Sequence, residues 1–140
     1  QPDLFLWIDA PGKGQARLDD EDYLDSAPDL IVEIAGSSAS YDLHDKLEMY
    51  RYNGVREYGV WRTYDSTFDW FRLEGDEYIT VDPDESGVIT SAVFPGLWLN
   101  VKALLAGDLA QVMTDLQAGL RSEEHQQFVE WLASDEQPAE

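Results

Sequence analysis

The stretch LIVEIAGSSASYDLHDK, residues 30–46, sets Glu33 inside an apolar run and follows it with Asp42 and Lys46. An ionised carboxylate in a dry interior costs on the order of several kcal/mol unless it is paired or bound to a metal. Alternation along a strand puts Leu30, Val32 and Ile34 on one face, and Asp29, Ile31, Glu33 and Ala35 on the other. Asp29 and Glu33 lie roughly 13 Å apart along such a strand, too far to chelate one ion. A partner for Glu33 must therefore come from another element. Asp3 is the natural candidate, because it opens the neighbouring strand-like run DLFLWID. Two carboxylates on adjacent strands can hold Mg²⁺ or Mn²⁺, which prefer oxygen ligands and keep several waters.

Asp42, Lys46 and Tyr50 recur at helical spacing and share one helix face, from which Lys46 can aim its ammonium at Glu33. Acids, a divalent cation and a lysine are the minimum set for phosphodiester hydrolysis. The cation polarises the phosphate and acidifies a water, and the lysine orients that water or offsets the developing charge. The same spacing has a plainer reading, in which Glu33 and Lys46 form a buried ion pair and Asp42 and Lys46 a surface pair on the helix.

Other chemistries are excluded or unsupported. With no cysteine there is no disulfide, thiolate metal site or cysteine nucleophile. His44 and His125 are too far apart in sequence to suggest a zinc site. PGKGQ lacks the spacing of a phosphate-binding loop, and GSSAS has no trailing glycine for a serine-hydrolase elbow.

The elements that must position these residues follow from periodicity. DLFLWID (3–9) and DLIVEIA (29–35) predict buried strands, and a helix is predicted over 40–53, capped by Ser40 or Asp42 and ended at Gly54. REYGVWRT (56–63) returns to a strand. STFDWFRL and EYITV predict a hairpin around a three-residue turn, Glu74-Gly75-Asp76. A short strand near 87–93 precedes the turn FPGLW. Leu109, Val112, Met113 and Leu116 then predict an apolar helix stripe ending at Gly119, and Ser122 starts a further helix with Phe128, Val129 and Leu132 inward. SDEQPAE is expected to be a disordered tail. This order gives an α/β (α+β) domain with a mixed central sheet and one parallel crossover.

The 140 residues are one domain's worth, with 44% hydrophobic residues. No run approaches the roughly 18 apolar residues that span a bilayer, so a cytoplasmic protein without membrane contact is expected. The net charge of −20 opposes a phosphate backbone at long range, although a salt-rich cytoplasm would screen it. Asp19, Asp20, Glu21, Asp22, Asp25 and Asp29 crowd one stretch that lacks EF-hand spacing and is expected to be a solvated acidic loop.

QPDL, APDLIVEIAGSSASYDLHDKLEMY and NGVREYGVW together resemble the Uma-two family, a bacterial branch of the PD-(D/E)XK nuclease superfamily assigned as restriction endonucleases. VFPGLWLNVKALL is similar to that family's C-terminal portion, so the resemblance runs over about residues 1–105. It implies a restriction-endonuclease-like mixed central sheet flanked by helices, with an added hairpin and C-terminal helices. It also implies Mg²⁺-dependent cleavage of DNA. It makes Asp3 and Glu33 the metal-binding acids. The superfamily lysine position falls on Ala35, and Lys46 on the next helix takes that role. Asp42 and Tyr50 match further family positions and, with Asp29, are expected to be supporting residues. The family's first helix and early strand would precede Gln1, so upstream residues are expected to complete the fold.

The sequence thus predicts a core over 1–105, a helical extension over 106–134 and a tail over 135–140. Its expected function is that of a metal-dependent endodeoxyribonuclease using Asp3, Glu33 and Lys46 with Mg²⁺ or Mn²⁺. The alternative is a catalytically inactive protein–protein interaction module on a nuclease scaffold, served by exposed aromatics of TFDWF. DNA as a partner is disfavoured by charge, and the resemblance suggests a homodimer.

Overall fold

A computed structural model describes residues 2–10, 12–15, 26–37 and 41–134. The acidic stretch from Asp19 to Asp25, Ser40 and the tail 135–140 lie outside the described residues. The chain divides into two compact units, Gln1–Val81 and Asp82–Glu140.

The first unit is a five-stranded mixed sheet with one helix. Its strands are β1 (Leu4–Leu6), β2 (Leu30–Ala35), β3 (Glu57–Arg62), β4 (Thr67–Glu74) and β5 (Glu77–Thr80), and they lie in sequence order. The helix, α1 (Leu43–Tyr52), links β2 to β3, which pair in parallel, while every other pairing in the sheet is antiparallel. The expected mixed sheet with a single helical crossover is therefore present. Asp42 is the N-cap of α1, accepting the Asp45 N–H at 3.1 Å, and Gly54 adopts φ +78° just beyond its end.

Register fixes which residues share a face. Ile31 stands beside Tyr58 and Glu33 beside Val60, so these four line the face that α1 covers. Ile31, Tyr58 and Val60 form the buried core there with Tyr50 and Val55, and Leu43, Leu47, Phe71 and Tyr78 pack against them. On the opposite face Glu57 is fully buried, accepting the Trp70 indole N–H at 2.9 Å and pairing with Arg72 at 3.4 Å.

Three local expectations are corrected. The first strand spans only Leu4–Leu6 and all three residues are exposed, because it is an edge strand paired with β2 alone. The hairpin turn has two residues: Glu74 pairs with Glu77, and Gly75 takes the first central position at φ +64°. Trp70 within TFDWF is buried, so this aromatic is not available to a partner.

The second unit pairs β6 (Val88–Thr90) with β7 (Trp98–Asn100) and adds α2 (Val101–Ala106), α3 (Leu109–Leu120) and α4 (Glu123–Ala133). β7 begins at Trp98, within the FPGLW stretch where only a turn is expected from the sequence. Ser122 caps α4 as predicted, accepting the His125 N–H at 3.3 Å. α3 ends at Leu120, one residue past the predicted Gly119, and Gly119 is buried in its last turn, where an added Cβ would collide with the Gly96 carbonyl and the Trp98 ring. Leu109 and Met113 are exposed rather than core, as is Val129. A two-stranded ribbon offers only a narrow face, so half of the predicted stripe is left uncovered.

Candidate active site

Glu33 is 4% exposed, and donors from three side chains converge on its carboxylate. The Tyr50 hydroxyl donates to Oε1 at 2.7 Å and the Tyr58 hydroxyl to Oε2 at 3.3 Å. Lys46 Nζ stands 3.5 Å from Oε1, with its side chain 30% exposed and its ammonium 6.0 Å from the Tyr50 ring centre. Lys46 and Tyr50 reach the strand because helical spacing stacks them on the inward face of α1. Tyr58 reaches it from β3, one pleat away from the position beside Glu33.

Burial and the contacts with Glu33 raise the pKa of both tyrosine hydroxyls. Burial, then the hydrogen bond to Glu33 and the charges of Glu33 and Asp3, hold the Tyr50 hydroxyl well above the ordinary tyrosine range. For Tyr58, burial again comes first, followed by the Glu33 charge and hydrogen bond. Both rings therefore remain neutral donors at physiological pH.

Asp3 precedes β1, and continuing the Leu4–Val32 register brings it alongside Glu33. Its Oδ2 accepts the Ile34 N–H at 2.7 Å, so the carboxylate is tied to the residue after Glu33 while the residue itself is exposed. Glu33, Lys46 and Tyr50 are thus brought into direct contact, and Asp3 is bonded to the backbone of Ile34, the residue after Glu33.

Asp42 and Asp29 are placed elsewhere. Asp42 is exposed and caps α1. Asp29 is fully buried, with Oδ2 accepting the Ile8 N–H at 2.8 Å and Oδ1 3.5 Å from Arg56 Nε. Its backbone also bridges strands, donating to Leu6 O at 3.0 Å and accepting from Glu57 N at 3.1 Å. That is the work of a structural staple. Tyr58 was not among the residues singled out from sequence. Its identity in EYGVW was visible, but only the β2–β3 register puts it on the Glu33 face.

Three arginines near the site in sequence do not form a free positive rim. Arg51 pairs with Glu48 at 2.9 Å, Arg56 with Asp29, and Arg62 with Asp69 at 2.6 Å.

The donor chemistry suits a hard cation. Asp3 and Glu33 offer carboxylate oxygens, and Mg²⁺ needs only one or two protein carboxylates because it keeps waters. Among the described residues no group of three or more His, Cys, Asp or Glu side chains could enclose a metal ion. The acids that could contribute to holding such an ion are Asp3 and Glu33. Among the described residues no helix is long and apolar enough to cross a membrane.

No curated protein matches the chain. A family model named Uma2, described as "Putative restriction endonuclease", matches residues 1–102, which include the whole sheet and every member of the Glu33 cluster. With that match over most of its length, and with the mixed sheet and helix crossover in place, this chain belongs to the Uma2 family.

Proposed function

We propose that this chain is a metal-dependent endodeoxyribonuclease that hydrolyses DNA phosphodiester bonds. The observation that carries the reading is the approach of Lys46 Nζ to Glu33 Oε1, 3.5 Å apart, with the acid Asp3 bonded to the N–H of the next residue, Ile34. Asp3 and Glu33 are the residues that would hold Mg²⁺ or Mn²⁺. Such an ion, when bound, polarises a phosphate oxygen and lowers the pKa of a bound water. Lys46 contributes a fixed positive charge where negative charge accumulates on the phosphate, and partial burial strengthens its effect over that of a surface lysine. Tyr50, on the same face of α1 as Lys46, donates to the Glu33 oxygen that Lys46 approaches.

With a net charge of −20, the protein has no general attraction for DNA, and its nearby arginines are paired with acids. Recognition therefore rests on the local cation and Lys46, and moderate salt assists the encounter by screening repulsion.

A second reading, a catalytically inactive protein–protein interaction module on the nuclease scaffold, is favoured by one observation. Both Glu33 oxygens already accept hydrogen bonds from buried tyrosines, which is how a structural carboxylate is satisfied. A cleavage assay on supercoiled and linear DNA with Mg²⁺ or Mn²⁺ separates the two. The nuclease reading expects cleavage by the natural chain and none by Glu33→Gln. Equal activity in both, or none in either across salt and metal conditions, leaves the interaction module in front.

A further inference from the structure

We infer that Tyr58, together with Tyr50, is a positioning residue that fixes the orientation of the Glu33 carboxylate for cation binding. This rests on the metal-dependent reading above.

The two hydroxyls divide the carboxylate between them, Tyr50 on Oε1 and Tyr58 on Oε2. The terminal torsion of a glutamate is broad, so a single donor leaves the group free to swing. Donors on both oxygens, one from a helix and one from a strand, define its plane. The donors are themselves held: the Tyr50 and Tyr58 rings meet at 4.9 Å, and Tyr58 stacks on Phe71 at 6.0 Å. Lys46 uses the same Oε1, so the carboxylate's orientation also sets where the ammonium sits.

Packing alone does not call for hydroxyls here. Tyr58 is fully buried, and a phenylalanine would fill the same space without the desolvation of an O–H, as Phe71 does on the next strand. Tyr78 supplies the contrast within the same aromatic layer. Its hydroxyl donates to the Val55 carbonyl at 2.7 Å, a backbone bond that does not involve Glu33. Partners behind a metal ligand set its orientation, and removing one typically weakens metal binding by about 10–100-fold.

The test is calorimetric titration of the full chain with Mn²⁺, comparing the natural sequence with Tyr58→Phe, Tyr50→Phe, Tyr78→Phe and Glu33→Gln. The expected result is one Glu33-dependent site, weakened about 10–100-fold by Tyr58→Phe and by Tyr50→Phe, and unchanged in Tyr78→Phe. If Tyr58→Phe does not fold, as judged by its near-ultraviolet circular dichroism, Tyr50→Phe carries the test. Natural affinity in folded Tyr58→Phe and Tyr50→Phe overturns the positioning role and leaves the cation site standing. An equal loss in Tyr78→Phe also overturns it, since the hydroxyls would then act through core stability. Absence of any Glu33-dependent Mn²⁺ site in the natural chain overturns this inference and the nuclease reading together.

Discussion

Lys46 Nζ lies 3.5 Å from Glu33 Oε1, which makes a residue on the crossover helix the cationic neighbour of a strand carboxylate. On the nuclease reading, Lys46→Ala should lower kcat about 100-fold or more, because a charge aimed at the transition state is lost. The fold should be destabilised by only about 1 kcal/mol, since the lysine is 30% exposed and both tyrosines still bond Glu33. Single-turnover cleavage and urea unfolding of the same sample would measure the two effects. Undiminished cleavage would remove Lys46 from the chemistry.

Asp29 should behave in the opposite way. Its carboxylate is fully buried and satisfies the Ile8 N–H, so Asp29→Ala leaves that donor orphaned and Arg56 without its partner. A loss of about 2–3 kcal/mol is expected. Mn²⁺ affinity per folded molecule should not change. A normal urea midpoint in Asp29→Ala would contradict the stapling role.

The tyrosines predict an alkaline limit to stability. Tyr50, Tyr58 and Tyr78 are all held above the ordinary value of 10.0, chiefly by burial. A group whose folded pKa is raised contributes stability that is complete below its unfolded value and is lost as pH rises through the folded one. Thermal stability should therefore be insensitive to these rings up to about pH 10 and fall above it. In Glu33→Gln, followed by tyrosinate absorbance, Tyr50 and Tyr58 should ionise at lower pH, because a charge that opposes ionisation is gone. Tyr78, whose shift comes from burial with Arg51 acting against it, should be unaffected.

Gly119 is predicted to resist any side chain. A Cβ there would fall onto the Gly96 carbonyl oxygen and within 2.7 Å of Trp98 Cγ, and both are backbone or rigid ring. Gly119→Ala should destabilise the second unit by about 1–3 kcal/mol or more, the range for overpacking. Gly107→Ala meets no atom within 4 Å but sits at φ +77°, so strain alone should cost about 1 kcal/mol. Comparing the two melting curves separates crowding from strain, and equal melts would refute the close-packing account.

The sequence alone determined the alternation that puts Glu33 on the same face as Ile31 and Ala35, the helical spacing that aligns Lys46 with Tyr50, and the family resemblance over about residues 1–105. These are local periodicities, and one stretch of chain contains them in full. It did not determine that Asp29 turns to Ile8 and Arg56, nor that the first strand is a short exposed edge. Gly119 reads from the sequence only as a helix stop, and α3 does end one residue later; its need for space comes from Gly96 and Trp98, which no helical pattern reveals. Tyr58 became part of the Glu33 cluster only through the parallel β2–β3 register. Register is a relation between distant segments, and a shift of one residue would turn Tyr58 to the other face. The sequence supplied the carboxylate, its lysine and Tyr50; the tertiary structure alone brought the Tyr58 hydroxyl to the carboxylate's second oxygen.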